Sequence, residues 1–134
     1  MRLIFFGAPG SGKGTYASRS SPILGIPQIS TGDLLRAEVA AQSHLGKEAD
    51  AYMKAGNLVP DKLVIDMLKN RVEQHDCKNG YILDGFPRTI EQSKELEKFA
   101  KIDLVILFAM PEAFLMEKAL ARRVCEKCGN TYNI

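Results

Sequence analysis

The stretch Arg2-Leu3-Ile4-Phe5-Phe6-Gly7-Ala8-Pro9-Gly10-Ser11-Gly12-Lys13-Gly14-Thr15 decides the fold. Arg2 to Phe6 reads as a short buried strand, and Gly7 to Thr15 as a glycine-rich turn feeding a helix. A polyphosphate needs backbone N–H groups pointed inward around its oxygens, and glycines permit that close approach. The helix N-terminus adds the positive end of a dipole, and Lys13 a mobile ammonium for the outer phosphates. Spacing, lysine and flanking pattern all point to phosphate binding. The strict pattern has Ser or Thr directly after the lysine; here Gly14 stands there and Thr15 follows, so direct side-chain ligation of magnesium is less favoured than in a GTPase.

Outward from this loop the chain alternates strand and helix, with no repeat and no Ser/Gly/Pro-rich linker. Gly25-Ile26-Pro27-Gln28-Ile29-Ser30 reads as a loop and a short second strand. Ser30 with Asp33 three residues on fits a capping box, so a helix starts there, and Gly46 and Gly56 punctuate the helical stretch that follows. Pro60-Asp61 opens another helix, with Val64, Met67, Leu68 and Val72 on one face. Tyr81-Ile82-Leu83 is a third strand ending at Asp84, and a Glu- and Lys-rich helix follows from about Thr89 to Ala100. Leu104 to Ala109 is a fourth strand, and Pro111-Glu112 starts a helix to Arg123 with Ala113, Met116, Leu120 and Val124 along it. In the first helix Pro22 predicts a kink or an end near Ser21, since an interior proline costs about 3 kcal/mol or more. Apolar strands separated by helices imply an α/β fold with a parallel sheet covered on both faces.

Composition narrows the function classes. The chain has 134 residues, 46% hydrophobic and 25% charged, with a formal net charge of +2. That near balance argues against a dedicated nucleic-acid binder and against a disordered acidic tail. The longest apolar run, Leu104 to Met110, falls far short of the roughly 20 residues a membrane helix needs. Leu3 to Phe6 is too short for a secretory signal. Three cysteines, Cys77, Cys125 and Cys128, imply no disulfide framework and favour a reducing cytoplasm.

Asp84 lies at the carboxyl end of a buried strand; such an aspartate alone is a common turn former, but beside this loop it points to a carboxylate that orients magnesium directly or through water. Thr31-Gly32-Asp33-Leu34-Leu35-Arg36 puts an arginine near a helix start, which the macrodipole disfavours unless something anionic lies close. Asp84-Gly85-Phe86-Pro87-Arg88 puts a second arginine in the loop leaving the third strand. Two such guanidiniums could clamp a second phosphate bidentately; the alternative for each alone is a surface ion pair. No Ser-His-Asp or Cys-His constellation is present, and His44 and His75 sit in polar helical stretches. A phosphate acceptor explains that absence, because its second pKa is about 6 and it needs placement rather than a general base.

Gly7 to Thr15, Gly25 to Arg36 and Asp84-Gly85-Phe86-Pro87-Arg88-Thr89 together resemble the adenylate kinases, in that family's order and spacing. The resemblance implies a three-layer P-loop kinase core: a parallel sheet flanked by helices, a helical flap over AMP and the start of a zinc-type lid. It divides the chain into a core at 1–29 and 60–121, the flap at 30–59 and the beginning of the lid at 122–134. It implies reversible phosphoryl transfer between ATP and AMP giving two ADP, with Mg2+, in a monomer that engages neither nucleic acid nor membrane. Carried over by position, Gly10, Ser11, Gly12, Lys13, Gly14 and Thr15 would cradle the ATP phosphates. Thr31, Arg36, Asn57, Leu58, Val59, Gly85, Phe86, Pro87, Arg88 and Gln92 would hold AMP. Arg122 would lie on the ATP phosphates, with Thr131 and Tyr132 toward the adenine; Lys13, Arg88 and Arg122 would be catalytic. Lys118 stands where a further arginine is common, giving charge without the planar fork, and Tyr16 stands where glutamine is common.

Cys125-Glu126-Lys127-Cys128 resembles half of the zinc knuckle in the zinc-bearing members. Structural zinc normally takes four ligands, so Zn2+ is expected only with a second half of the site. A redox pair fits poorly, because these thiols follow the C-terminal, negative end of a helix that raises their pKa. Family chains continue beyond the position of Ile134 into further phosphate-binding arginines, so nucleotide binding is expected to outlast turnover in the 134-residue polypeptide. The alternatives are a uridylate/cytidylate kinase, a phosphate-loop switch without an acceptor site, and a zinc-ribbon module resting on the single CxxC.

Overall fold

Alternation along three short strands sets the layers. In the computed structural model, which describes residues 1–134 apart from the side chain of Thr131, Leu3, Phe5 and Ile82 face one side of a sheet. Ile4, Ile29, Tyr81 and Leu83 face the other. The sheet contains β1 (Arg2–Gly7), β2 (Gln28–Ser30), β3 (Tyr81–Asp84) and β4 (Leu104–Phe108), all parallel, in the order β2-β3-β1-β4. On the first side Ala17 of α1 (Lys13–Leu24) and Ile26 complete a small core. On the second, a larger core takes Leu34 from α2 (Thr31–Ala40) and Ala49 from α3 (His44–Lys54). It also takes Leu63, Met67 and Leu68 from α4 (Asp61–Val72) and Leu96 from α5 (Ile90–Glu97). The expected α/β architecture, with helices on both faces of a parallel sheet, is thus present. A last helix, α6 (Glu112–Leu120), leads to a two-stranded antiparallel ribbon of β5 (Arg122–Val124) and β6 (Thr131–Asn133). Among the described residues no helix is long and apolar enough to cross a membrane.

Several local expectations are corrected. Pro22 does not end α1 near Ser21; the helix runs on to Leu24 and stops at Gly25. Proline sits there in the last turn, and Ser21 ties the exit down: its carbonyl accepts the Ile26 N–H at 3.2 Å and its hydroxyl donates to the Ile26 carbonyl at 2.6 Å. Ser30 does precede a helix, but its side chain makes no cap hydrogen bond, and Asp33 pairs with Arg36 instead. A side-chain N-cap sits instead at α5, where Thr89 Oγ1 accepts the Gln92 N–H at 3.2 Å while the Gln92 side chain returns to the Arg88 N–H rather than that of Thr89.

Gly46 does not interrupt a helix. It lies in the first turn of α3, buried, where an added β-carbon would stand 2.0 Å from the Glu38 carbonyl oxygen. The break lies at Ala41–Ser43, and Ser43 caps α3 by accepting the Gly46 N–H at 2.9 Å. Gly56 does follow the end of α3. The helix from Glu112 stops at Leu120 rather than Arg123, so Val124 belongs to a strand. Met116 and Leu120 are 60% and 75% exposed, and Leu104, Val105 and Leu107 of the edge strand β4 are exposed too.

Candidate nucleotide site

The register of the parallel strands brings the functional loops to one edge. Asp84, the last residue of β3, stands opposite Phe5 of β1 and Ser30 of β2. The glycine loop after β1, the start of α2 after β2 and the Gly85–Arg88 loop after β3 therefore leave the sheet side by side. From β1 the chain goes to β2 at one end of the sheet, and from β3 it crosses to β4 at the other. Adjacent strands whose connections depart in opposite directions open a crevice between their carboxyl ends, the usual ligand site of such sheets.

Gly10 and Gly12 adopt φ of 85° and 86°, left-handed values that a side chain would resist, and Gly12 is the N-cap of α1. The Ser11 N–H donates to the Ala8 carbonyl at 3.1 Å, while the Ser11 hydroxyl is buried without a partner among the described residues. Lys13 is the first residue of α1. From α6, the Lys118 Cβ comes within 3.5 Å of where a β-carbon on Gly10 would sit, which sets that lysine's stem beside the loop.

Asp84 Oδ2 lies 3.2 Å from the corresponding point on Gly14 and accepts from Gln28 Nε2 at 3.1 Å. Gln28 also reaches toward the Gly14 carbonyl at 3.5 Å. The structure thus brings Asp84 to the phosphate loop and shows that Gln28, not singled out from sequence, fixes the carboxylate. A hard cation bound through one or two carboxylates, water and substrate phosphates fits this arrangement, with Asp84 as the protein oxygen donor.

The two arginines each meet a partner three residues back, of different kinds. Arg36 is engaged by Asp33 one turn back, so its nearby anion is a residue of its own helix, in keeping with the surface-pair alternative. Arg88 Nε donates to the Gly85 carbonyl at 2.8 Å. The Phe86 ring is buried in the larger core, and the Phe86–Pro87 peptide is cis. Gln92 is buried, with its Oε1 accepting the Arg88 N–H and its Nε2 donating to Asp61, both at 2.7 Å. Asp61 was not singled out from sequence either, although Thr89-Ile90-Glu91-Gln92 carries the capping-box signature that marks Gln92 as a local organiser. Thr31 begins α2, Leu58 is exposed, and Val59 packs on the core.

In the ribbon Arg122 is exposed, while Arg123 turns back to the Leu120 and Arg122 carbonyls at 2.8 and 2.9 Å. Tyr132 is exposed opposite Arg123; the side chain of Thr131 lies outside the description. Cys125 and Cys128 flank a turn in which the Cys128 and Lys127 N–H groups approach the Cys125 sulfur and lower its pKa. For Cys125 this corrects the expectation of a raised pKa: α6 ends at Leu120, too far back for its dipole to dominate. Among the described residues no group of three or more His, Cys, Asp or Glu is placed to hold a metal, so these thiols do not by themselves make a four-ligand zinc site.

The family model for adenylate kinase matches residues 5–129. The chain belongs to the adenylate kinase family. It is 54% identical over 139 aligned positions to the adenylate kinase of Thermodesulfovibrio yellowstonii, covering 100% of this chain and 65% of that protein. The figures are 51% and 65% for the adenylate kinase of Caldicellulosiruptor saccharolyticus, and 50% and 64% for that of Archaeoglobus fulgidus, again over 100% of this chain. The chain therefore spans about 65% of the length of the adenylate kinases it matches.

Proposed function

We propose that this chain carries the two nucleotide pockets of an enzyme that moves a phosphoryl group reversibly between ATP and AMP, giving two ADP. One observation carries the reading: the loops after β1 and β3 open on a single crevice, with Asp84 against the first turn of α1. Gly10 to Thr15 cradle the ATP phosphates, with Lys13 on the outer ones and Arg122, Thr131 and Tyr132 approaching from the ribbon. Thr31, Arg36, Asn57, Leu58, Val59, Gly85 to Arg88 and Gln92 hold AMP, beneath a flap formed by residues 30–59. The reading further carries a monomer, since both pockets belong to one chain, and a cytoplasmic location, which the three sparse cysteines favour.

An AMP phosphate oxygen attacks the γ-phosphorus in line; that P–O bond forms as the bond to the β,γ-bridging oxygen breaks, and ADP leaves. The attacking oxygen is already ionised, so no side chain has to remove a proton. Lys13, Arg88 and Arg122 hold the reactants in line and meet the negative charge spread over the moving group. Magnesium, when bound near Asp84, neutralises phosphate charge. Three phosphate oxygens are stronger acceptors than the Gly85 carbonyl, so an arriving AMP recruits Arg88 from its resting bond.

Equilibrium binding tests the substrate assignment. AMP should bind at least about tenfold more tightly than UMP or CMP, a difference of roughly 1.4 kcal/mol. Arg88→Ala should weaken AMP about 100-fold, as expected for lost charge-assisted hydrogen bonds, and leave ATP within about twofold. Equal binding of the three monophosphates, or an Arg88→Ala loss shared equally by ATP, contradicts the assignment.

A further inference from the structure

Gln92 is one of only two buried polar residues in the described core, and its carboxamide is held at both ends. A carboxylate only accepts, so the NH2 end of Gln92 must face Asp61 Oδ1, and the oxygen is thereby turned to the Arg88 N–H. Asp61 is the first residue of α4 and follows directly on Val59-Pro60, where the 30–59 segment returns to the sheet layer. A continuous chain of hydrogen bonds thus runs from the head of α4, through a buried amide, to the backbone of the loop that carries Arg88. Gln92 is buried while Asp61 at the other end of the bond is exposed, and a buried amide that loses a partner loses far more than one in open water. Gln92 keeps one N–H and one oxygen lone pair beyond these two bonds, so holding the loop does not prevent it from meeting a ligand.

We infer that Asp61 is a positioning residue for the monophosphate pocket: by fixing the Gln92 carboxamide it fixes the Arg88 backbone, and with it the origin of the guanidinium that meets the AMP phosphate. The inference rests on the proposed assignment of the Arg88 loop to AMP. It assigns Asp61 no contact with nucleotide. Its carboxylate acts as a hydrogen-bond acceptor, and its charge is secondary, so asparagine, which retains an acceptor oxygen at the same reach, should substitute for it. The same link joins the end of the 30–59 segment to the Arg88 loop, so displacement of one reaches the other without passing through ligand.

The test compares wild type, Asp61→Ala, Asp61→Ser and Asp61→Asn in the 134-residue chain, with AMP and ATP affinities measured separately by calorimetry and Arg88 amide hydrogen exchange followed by NMR. Asp61→Ala should weaken AMP about tenfold and speed Arg88 exchange by a similar factor, with ATP within about twofold. Asp61→Ser keeps a good residue at the helix start but cannot reach Gln92, and should give the same split if Asp61→Ala does not fold. Asp61→Asn should restore AMP affinity to within about threefold of wild type. Unchanged AMP affinity and exchange in Ala and Ser, an equal loss of AMP and ATP, or an Asn variant as impaired as Ala overturns the positioning role alone. A wild-type chain that binds no AMP overturns the pocket assignment on which it rests.

Discussion

At the scale of single residues, Arg36 and Arg88 each rest on a partner three residues back, and Asp84 and Asp61 are held by amides. Arg36 rests on Asp33, Arg88 on the Gly85 carbonyl, Asp84 on Gln28 and Asp61 on Gln92. Away from the crevice, Arg71 makes two 2.8 Å hydrogen bonds to Asp76 and a 3.0 Å bond to the sulfur of buried Cys77. The Arg71 hydrogen bond holds the Asp76 carboxyl below its ordinary range, and burial pushes the Cys77 thiol up. Because the carboxyl pKa is lower folded than unfolded, the pair stabilises the fold above the unfolded value and loses that contribution as pH falls through the folded one. Asp76 is largely solvent-exposed, so Asp76→Asn should cost only about 0.2–1 kcal/mol at neutral pH. Urea melts of both proteins should converge in strong acid; a gap that persists there would show that the ion pair is not its source. Lys13 and Asp84 were legible in the sequence because each is marked by a local pattern, the one by the glycine loop and the other by the end of a short apolar run. Gln28 and Asp61 were not, because their partners lie 56 and 31 residues away and depend on strand register and helix docking.

At the scale of elements, the start of a helix proved easier to read than what holds it. Ser30 precedes α2 as expected, yet its side chain makes no cap bond, and the Asp33 carboxylate goes to Arg36 rather than back to the Ser30 N–H. Thr89 and Gln92 form the corresponding device at α5, where it also secures the Arg88 loop. Pro22 and Gly46 were read as breakers from their intrinsic conformational preferences; Pro22 lies in the last turn of α1, two residues before its end, and at Gly46 tertiary packing overrode the preference. The α2–α3 pair turns on that point, since the Gly46 backbone lies against the Glu38 carbonyl. Gly46→Ala should therefore destabilise the chain by about 1–3 kcal/mol or more, the range for overpacking, although alanine is the better helix former. Thermal melting checks this; an unchanged or raised midpoint would mean the two helices separate at no cost. The premature end of α6 had no signal in its apolar spacing, because Ala121 to Val124 is equally compatible with helix and the ribbon pairing with β6 decides it.

At the scale of the whole molecule, the proposed function rests on strand order. The alternation of strand and helix made the parallel sheet and its two covered faces legible. The order β2-β3-β1-β4 was not, since crossovers leave no trace in local pattern. That order sets β1 beside β3 and so brings the glycine loop against Asp84 and the Arg88 loop. It also leaves β4 at an edge with Leu104, Val105 and Leu107 exposed, a row of apolar side chains that buried-strand reasoning assigned to the interior. The central claim is that a triphosphate pocket and a monophosphate pocket share one crevice within exchange distance. Calorimetric titration of the 134-residue chain with two adenosines joined through five phosphates tests it most directly, with backbone resonances followed alongside. The account predicts one ligand per chain, bound at least about 100-fold more tightly than ATP or AMP alone, with shifts at Lys13, Arg36 and Arg88 together. Binding no tighter than ATP, with Arg36 and Arg88 unmoved, would contradict it.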